Sequence, residues 1–428
     1  MTRIGLVDQS SEGWTGGRTY TRMLASLLNQ GFADGSAELF LISHHPEAVL
    51  REDMHFAPIP LTATRGMVSD EIGSASARLP FRGEVRLRRL LRRPRPTDAI
   101  SAAEKFGMSV ILPLLDLPPW KPGVPSIGWV PDLQHVALPE LFSASELQVR
   151  DRSLRHLIGN ARHILVSSAA ARRDLVEYAP ECDHLVRILR FPSVFAFEPP
   201  TAGGPSAIDK YGIPERFALV ANQFWRHKNH IVVVRAAAEL ARDGIDVPIV
   251  MTGMPADFRD PQNRTLSALL QEIAMAGLPG RVVILGQVDR ADLIGLMRAA
   301  TVVIQPSKFE GWSTVVQDAN ALGRPLICSD LPVHREQAPD AIGFFHPDDP
   351  GELARIILRS WSQLPTGPDE EAEELALRKE RMFANEQAGH LRNLCITTAA
   401  TRRSAPWSRK GTPAETDSAM NDVTPGRR

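Results

Sequence analysis

The run Gln305-Pro306-Ser307-Lys308-Phe309-Glu310-Gly311-Trp312-Ser313-Thr314-Val315-Val316-Gln317-Asp318-Ala319-Asn320-Ala321-Leu322-Gly323-Arg324-Pro325 joins a strand end, a turn and a helix. Apolar Thr301-Val302-Val303-Ile304 precedes it as a strand, and Gly323 closes the helix. The turn sets Glu310 and Gly311 at the carboxyl end of that strand, where open α/β sheets bind ligands. Backbone N–H groups from Gly311 to Thr314 then lie at or near a helix N-terminus, a ready site for an anion. Asp318 follows Glu310 by about two helical turns. Carboxylates accept hydrogen bonds from hydroxyls, and free N–H groups donate them to phosphate. Sugar and phosphate recognition side by side point to a nucleotide sugar.

Outward from this run the chain alternates short apolar strands with helical patterns, the signature of parallel sheets with crossover helices. Strands are predicted at Arg3–Val7, Glu38–Ser43, Ser109–Leu112, Ser126–Val130, His163–Val166 and Leu185–Leu189, then at Phe217–Ala221, Pro248–Thr252, Arg281–Leu285, Thr301–Gln305 and Pro325–Cys328. Helices are predicted at Thr19–Asn29, Ser145–Gly159, His230–Arg242, Leu266–Ala276, Ala291–Ala299 and Gly351–Gln363. The chain has 428 residues, more than one ordinary core holds. The domain reading is 1–195 for an N-terminal Rossmann-like domain, 196–210 for a linker rich in Pro and Gly, and 211–365 for a second Rossmann-like domain. A charged helix follows at 366–395, and 396–428 reads as a disordered tail.

Composition narrows the class. With 43% hydrophobic and 23% charged residues the chain reads as globular and soluble. A net charge of −1 gives no global argument for nucleic acid. Cys182, Cys328 and Cys395 are few and far apart, which excludes a disulfide framework and fits a cytoplasmic location. No signal-peptide pattern and no run of 18 apolar residues occurs, so any membrane contact is expected to be peripheral. His44, His45, His227 and His230 lack companions at metal spacing, so no metal site is read.

Further constellations carry chemistry. In Leu219-Val220-Ala221-Asn222-Gln223-Phe224-Trp225-Arg226-His227-Lys228-Asn229-His230 a strand ends in a polar loop. Its Arg226 and Lys228 stand just before a helix, where cations suit a diphosphate leaving group. In Trp14-Thr15-Gly16-Gly17-Arg18-Thr19-Tyr20 the glycines Gly16 and Gly17 let the backbone approach a phosphate or sugar. A tight turn without a ligand accounts for them equally well. The run Gly128-Trp129-Val130-Pro131-Asp132-Leu133-Gln134-His135 delivers Asp132 and His135 to the cleft side, on the sugar or acceptor side. A structural histidine fits the same pattern. Arg82, Arg86, Arg89 and Arg93 recur at intervals of four, three and four, widened by Arg88, Arg92 and Arg95. As a helix, Arg82–Arg95 would present a basic stripe with apolar contacts suited to an anionic membrane, or simply a solvated face.

The Pro-Ser-x-x-Glu-Gly run resembles the donor-site signature of glycosyltransferase family 4, retaining enzymes of the GT-B architecture. The usual pattern is Glu-Gly-Phe-Gly, four residues, then Glu-Ala and Gly-x-Pro. Here Trp312 stands for Phe, Ser313 for Gly, and Asp318 for the second Glu. Val315-Val316-Gln317-Asp318-Ala319 and Ser329-Asp330-Leu331-Pro332-Val333-His334-Arg335-Glu336 resemble a bacterial branch making surface polysaccharides.

The resemblance implies an α/β fold with two facing Rossmann-like domains and a deep interdomain cleft. It implies a nucleotide-sugar donor, GDP- or UDP-linked, and a glycan or lipid-linked acceptor, with no cofactor and no nucleic acid. Glu310 would then accept from the transferred sugar and Asp318 from the ribose. Lys228 and the N–H groups of Trp312, Ser313, Thr314 and Val315 would hold the diphosphate. Gly286 and Val288 follow a strand end and resemble the nucleobase-contacting loop. The loop carrying Asn222, Gln223 and Arg226 resembles the family's Gly-Arg loop, with Lys228 matching its lysine, Gln223 in the arginine's place and Arg226 as the candidate to replace that charge. Pro131 occupies the place of the family's histidine, which leaves His135 as the candidate. Asp318 is one carbon shorter than Glu, about 1.5 Å less reach. The alternatives are a catalytically silent nucleotide-sugar-binding protein and a sugar-nucleotide epimerase of the same fold.

Overall fold

The computed structural model describes residues 1–10, 15–46, 49–61, 96–198, 200, 207–255, 257 and 259–400. The arginine stripe Arg82–Arg95, Trp14 and residues 401–428 lie outside the described residues.

The first sheet-and-helix layer begins with β1 (Thr2–Val7), α1 (Thr15–Gly31), β2 (Ala37–Ser43), β3 (Phe56–Pro60), α2 (Pro96–Lys105) and β4 (Val110–Leu114). It continues through β5 (Ser126–Trp129), α3 (Gln134–Ala137), α4 (Ala144–Asn160), β6 (His163–Val166), α5 (Ala169–Tyr178) and β7 (Val186–Ile188). Its seven strands run β3-β2-β1-β4-β5-β6-β7, all paired in parallel.

The second begins with α6 (Ala207–Tyr211), β8 (Ala218–Ala221), α7 (His230–Arg242), β9 (Ile249–Thr252), α8 (Arg264–Met275) and β10 (Val282–Gly286). Next come α9 (Arg290–Ala299), β11 (Val302–Gln305), α10 (Thr314–Ala321), β12 (Leu326–Ser329), α11 (Pro332–Gln337), β13 (Gly343–Phe345) and α12 (Pro350–Ser360). Its six parallel strands run β10-β9-β8-β11-β12-β13. These are two Rossmann-like α/β domains, the GT-B architecture the sequence led us to expect.

Each sheet is covered on both faces, so its central strands read as unbroken apolar runs. β11 shows why: Val302 and Ile304 enter the core on one face while Val303 enters the core on the other. The strands missing from the sequence reading, β3 and β13, lie at sheet edges. β3 carries Pro58 and Pro60, which an edge strand tolerates because their absent N–H groups face no partner.

Helices close with ordinary local chemistry. Asp349 caps α12 by accepting from the Glu352 N–H at 2.9 Å, with Pro350 at the first helical position. After α10, Gly323 adopts φ +61° and ends the helix as its position predicted. A side chain there would also strike the backbone of Ala372.

The last helix, α13 (Glu370–Ala400), ties the domains together. Near its start Glu373 pairs with Arg298 of the second domain at 2.7 Å. Toward its end Ala388, Leu391 and Cys395 are buried in the first domain's core with Leu24, Leu27 and Leu28. This burial corrects the expected end of order at 395. Thr398 is fully buried and its hydroxyl donates to the Leu394 carbonyl at 2.6 Å, so the helix continues through Ala400. A second correction concerns α1, which starts at Thr15 and takes Gly16 and Gly17 into its first turn. The first four N–H groups of a helix have no internal acceptor, so glycine there loses little and keeps its N–H available.

Candidate active site

In each sheet the strand order reverses beside the first strand of the domain, between β1 and β4 and between β8 and β11. Ligands of open α/β sheets sit at such reversals, beyond the carboxyl ends of the strands. The loop after β8 and the loop after β11 therefore meet, and their polar side chains form one network.

Glu310 is its centre. Its Oε1 accepts from Lys228 Nζ at 2.5 Å, from Ser307 Oγ at 2.7 Å and from Gln305 Nε2 at 3.0 Å. The side chains of Lys228 and Glu310 are only 16% and 9% exposed, so this is a nearly buried ion pair. Gln305 is itself held by Asn222, whose Nδ2 donates to Gln305 Oε1 at 2.9 Å. The Lys308 N–H donates to the His227 carbonyl at 2.8 Å and locks the two loops in register. At the turn into α7, Asn229 takes the left-handed conformation with φ 57° and donates its side-chain amide to Pro306 and Pro347 carbonyls.

Behind the pair stands His334, fully buried. Its Nδ1 lies 2.9 Å from the Ser329 carbonyl, which can only accept, so Nδ1 carries the proton and Nε2 a bare lone pair. Nε2 has no hydrogen-bond partner. Burial lowers the His334 pKa, opposed by the Glu310 charge.

At the start of α10, Ser313 is the N-cap and its Oγ accepts from the Val316 N–H at 3.3 Å. Thr314 and Val315, the first two helical residues, keep N–H groups that no intrahelical carbonyl can take. Ser313 does not fit the expected diphosphate cradle. Its N–H donates to Gln337 Oε1 at 2.9 Å, and its carbonyl accepts from Gln337 Nε2 at 3.0 Å. That paired amide consumes the donor the sequence reading had left free.

The first domain closes directly onto this turn. A Cβ on Gly311 would meet the Pro131 carbonyl oxygen at 2.0 Å and Asp132 Cβ at 2.9 Å. Only glycine permits that approach. Ser168 Oγ donates to the Gly311 carbonyl at 3.0 Å. Glu336 reaches across as well, accepting from the Ala169 N–H at 2.9 Å, the Ala170 N–H at 3.3 Å and Arg190 Nε at 2.6 Å. A carboxylate at the N-terminus of α5 is favoured by the helix dipole. Trp312 packs into the first domain's core beside Phe191, ring centroids 5.6 Å apart, and its Nε1 is buried without a partner.

Other predicted residues fall in different places. Asp318 is 7% exposed and both its oxygens are taken, Oδ1 by Ser193 Oγ and Oδ2 by Arg290 Nη2, each at 2.7 Å. It is no free carboxylate, and a ribose would have to exchange with Arg290. Asn222 is 4% exposed and braces Gln305. Arg226 is exposed and lines a cavity of about 490 Å³ with Trp225, Asp257 and Arg259, whose lining includes neither Lys228 nor Glu310. Gln223 and Val288 are half-buried at strand ends, and Gly286 turns with φ +69°. Asp132 stands one residue before the N-cap of the short α3, and its Oδ1 accepts from the Gln134 N–H at 2.9 Å.

His135 is buried with neither ring nitrogen hydrogen-bonded. Burial first, then Arg150, lower its pKa, while Asp132 and Asp151 oppose them. Those charges all belong to the first domain. The structure does not join His135 to the Lys228–Glu310 network.

The sequence reading missed Gln305, Ser193, Glu336, Gln337, Arg290 and Glu380. Gln305 and Glu336 stand inside runs already singled out, so a signal existed for them. Ser193 and Glu380 have none, because their partners lie 125 and 63 residues away in Asp318 and Gln317.

A family model described as "Glycosyl transferases group 1" matches residues 206–366, the second domain. The D-inositol 3-phosphate glycosyltransferase of Arthrobacter sp. (strain FB24) is 29% identical over 183 residues, 42% of this chain and 42% of that protein. The O-antigen chain mannosyltransferase B of Escherichia coli is 23% identical over 244 residues, 55% of this chain and 62% of that protein. The matched part thus spans less than two thirds of either relative. The Anabaena protein Alr3699/HepE, solved in complex with UDP and glucose, superposes with a TM-score of 0.56 at 15% identity. That match covers 94% of this chain and all of the other, a likeness of fold. Among the described residues no helix is long and apolar enough to cross a membrane.

Proposed function

We propose that the protein is a retaining glycosyltransferase that moves a sugar from a GDP- or UDP-linked donor to a glycan or lipid-linked acceptor. The observation that carries this reading is the nearly buried Lys228–Glu310 pair beside the open N-terminus of α10. A cation and two unpaired N–H groups suit a diphosphate, and a carboxylate beside them suits the hydroxyls of the sugar attached to it. The group 1 match over the same domain supports the reading.

Roles follow from position. Lys228, with the N–H groups of Thr314 and Val315, neutralises charge as the bond to the leaving diphosphate breaks. Glu310 accepts from the transferred sugar. Asp318 accepts from the ribose once Arg290 yields Oδ2. Gly286 and Val288 border the base, and Gly16 and Gly17 approach the diphosphate from the first domain. The acceptor attacks from the face the diphosphate leaves, and a phosphate oxygen takes its proton. Mannose as the transferred sugar, and a place in cell-envelope polysaccharide synthesis, follow from the resemblance of 329–336 and accord with the mannosyltransferase relative.

Calorimetric titration with UDP, GDP, UDP-glucose and GDP-mannose tests the assignment. Lys228→Met should weaken bare diphosphates and sugar nucleotides alike. Glu310→Gln should weaken only the sugar nucleotide. Because it releases Lys228, it should leave bare diphosphate binding equal or tighter. Equal losses of bare diphosphate in the two variants reject the division of roles. Product analysis then distinguishes transfer from silent binding or epimerisation.

A further inference from the structure

We propose that Glu380 is a positioning residue for the donor nucleoside, holding Ser193 so that the Ser193 hydroxyl keeps Asp318 aimed at a ribose. The inference rests on the ribose role given to Asp318 above.

Three separate parts of the chain meet here. Glu380 comes from α13, Ser193 from the segment leaving the first domain, and Gln317 with Asp318 from α10. Glu380 Oε1 accepts from the Ser193 N–H at 2.5 Å, and Gln317 Nε2 donates to both Glu380 oxygens at 2.8 and 3.0 Å. Ser193 Oγ then donates to Asp318 Oδ1 at 2.7 Å. Glu380 thus fixes both the residue bonded to Asp318 and the residue beside it.

Its chemistry is unusual for a brace. Glu380 is 7% exposed, and among the described residues no cation pairs with it. The charged groups facing it are the Asp318 carboxylate and, beyond that, Arg290. A buried carboxyl without a cation is poor support for stability alone. What this one secures is the direction of a neighbour.

The two oxygens of Asp318 are held unequally. Ser193 is 3% exposed, whereas the Arg290 side chain is half exposed. A ribose can therefore displace Arg290 from Oδ2 while Ser193 keeps Oδ1. Aspartate has one rotatable bond fewer than glutamate, and the Ser193 hydrogen bond fixes the freedom that remains.

The test uses the full chain and calorimetry with UDP, GDP, a 2′-deoxy diphosphate of the preferred base, and inorganic pyrophosphate. Ser193→Ala and Glu380→Ala should each weaken the preferred nucleoside diphosphate about fivefold to tenfold, the loss of one hydrogen bond. Both should bind pyrophosphate within twofold of the wild type, and their penalty should shrink to within twofold on the 2′-deoxy probe. Glu380→Gln, which still accepts from Ser193, should restore binding.

Unchanged nucleotide binding by Ser193→Ala overturns the proposal even if Glu380→Ala fails to fold. So does an equal loss for pyrophosphate, which marks a general distortion. A wild type that binds neither nucleotide, or an Asp318→Ala variant that binds as well as wild type, removes the ribose reading itself and the proposal with it.

Discussion

Replacing Lys228 with methionine should destabilise this protein by more than a position in a polar loop suggests. Its Nζ sits 2.5 Å from Glu310 Oε1, with side chains 16% and 9% exposed. At that separation the attraction in a medium of effective dielectric about 20 is about 6–7 kcal/mol, set against several kcal/mol of desolvation for each ion. Losing one partner of such a pair costs about 3–5 kcal/mol, because the other charge stays behind. Ser307 and Gln305 still donate to Glu310, which places Lys228→Met near about 3 kcal/mol. Glu310→Gln strands the lysine instead, at about 2–3 kcal/mol. The double variant removes both charges and should cost about 3 kcal/mol, not the sum. Urea unfolding of the four proteins, followed by far-ultraviolet circular dichroism and intrinsic fluorescence, gives the cycle directly. Singles that add within about 0.5 kcal/mol would refute the reasoning, since independent sites add to that precision.

Three further outcomes are expected. Burial first, then Asp318, raises the Glu380 pKa from 4.5 to about 7, opposed by hydrogen bonds from Ser193 and Gln317. The folded state then binds the extra proton, so stability should fall as pH rises from about 4.5 to 7 and level off above, by on the order of 3 kcal/mol. Glu380→Gln should abolish that slope in urea midpoints, and parallel curves for the two proteins would contradict the assignment. Gly311→Ala drives a methyl into the Pro131 carbonyl and should cost about 1–3 kcal/mol while opening the domain contact, visible as a larger radius in small-angle scattering. Leu391→Ala removes a fully buried side chain from the first domain's core, though it belongs to the last helix. It should cost about 2–5 kcal/mol, and hydrogen exchange should quicken in β1 and α1.

The alternation of strand and helix was legible because both sheets are buried on two faces, which writes each central strand as an unbroken apolar run. His230–Arg242 and His163–Val166 matched residue for residue, since polar loops bound them sharply. β3 escaped because its prolines argue against a strand unless its edge position is known. Lys228 and Glu310 were each legible, in separate runs, yet their direct bond was not, because the two loops lie 82 residues apart and only the strand order brings them together. Ser313 illustrates the opposite failure. Its N–H belongs to the helix start the sequence marked, and a glutamine 24 residues onward claims it.

The chain passes between the domains twice, once near Ser193 and once near Glu380, and the two passages are hydrogen-bonded to each other. Any rotation of one domain against the other that preserves both passages must therefore pivot where they touch. Displacement grows with distance from a pivot, so Asp318, bonded to Ser193 at that point, stays nearly stationary. Gly311 against Pro131 and Glu336 against Ala169 lie on the faces that such a rotation would part. A ligand arriving before those faces meet would find Asp318, the proposed ribose contact, already in place, and the faces that complete the enclosure would arrive last.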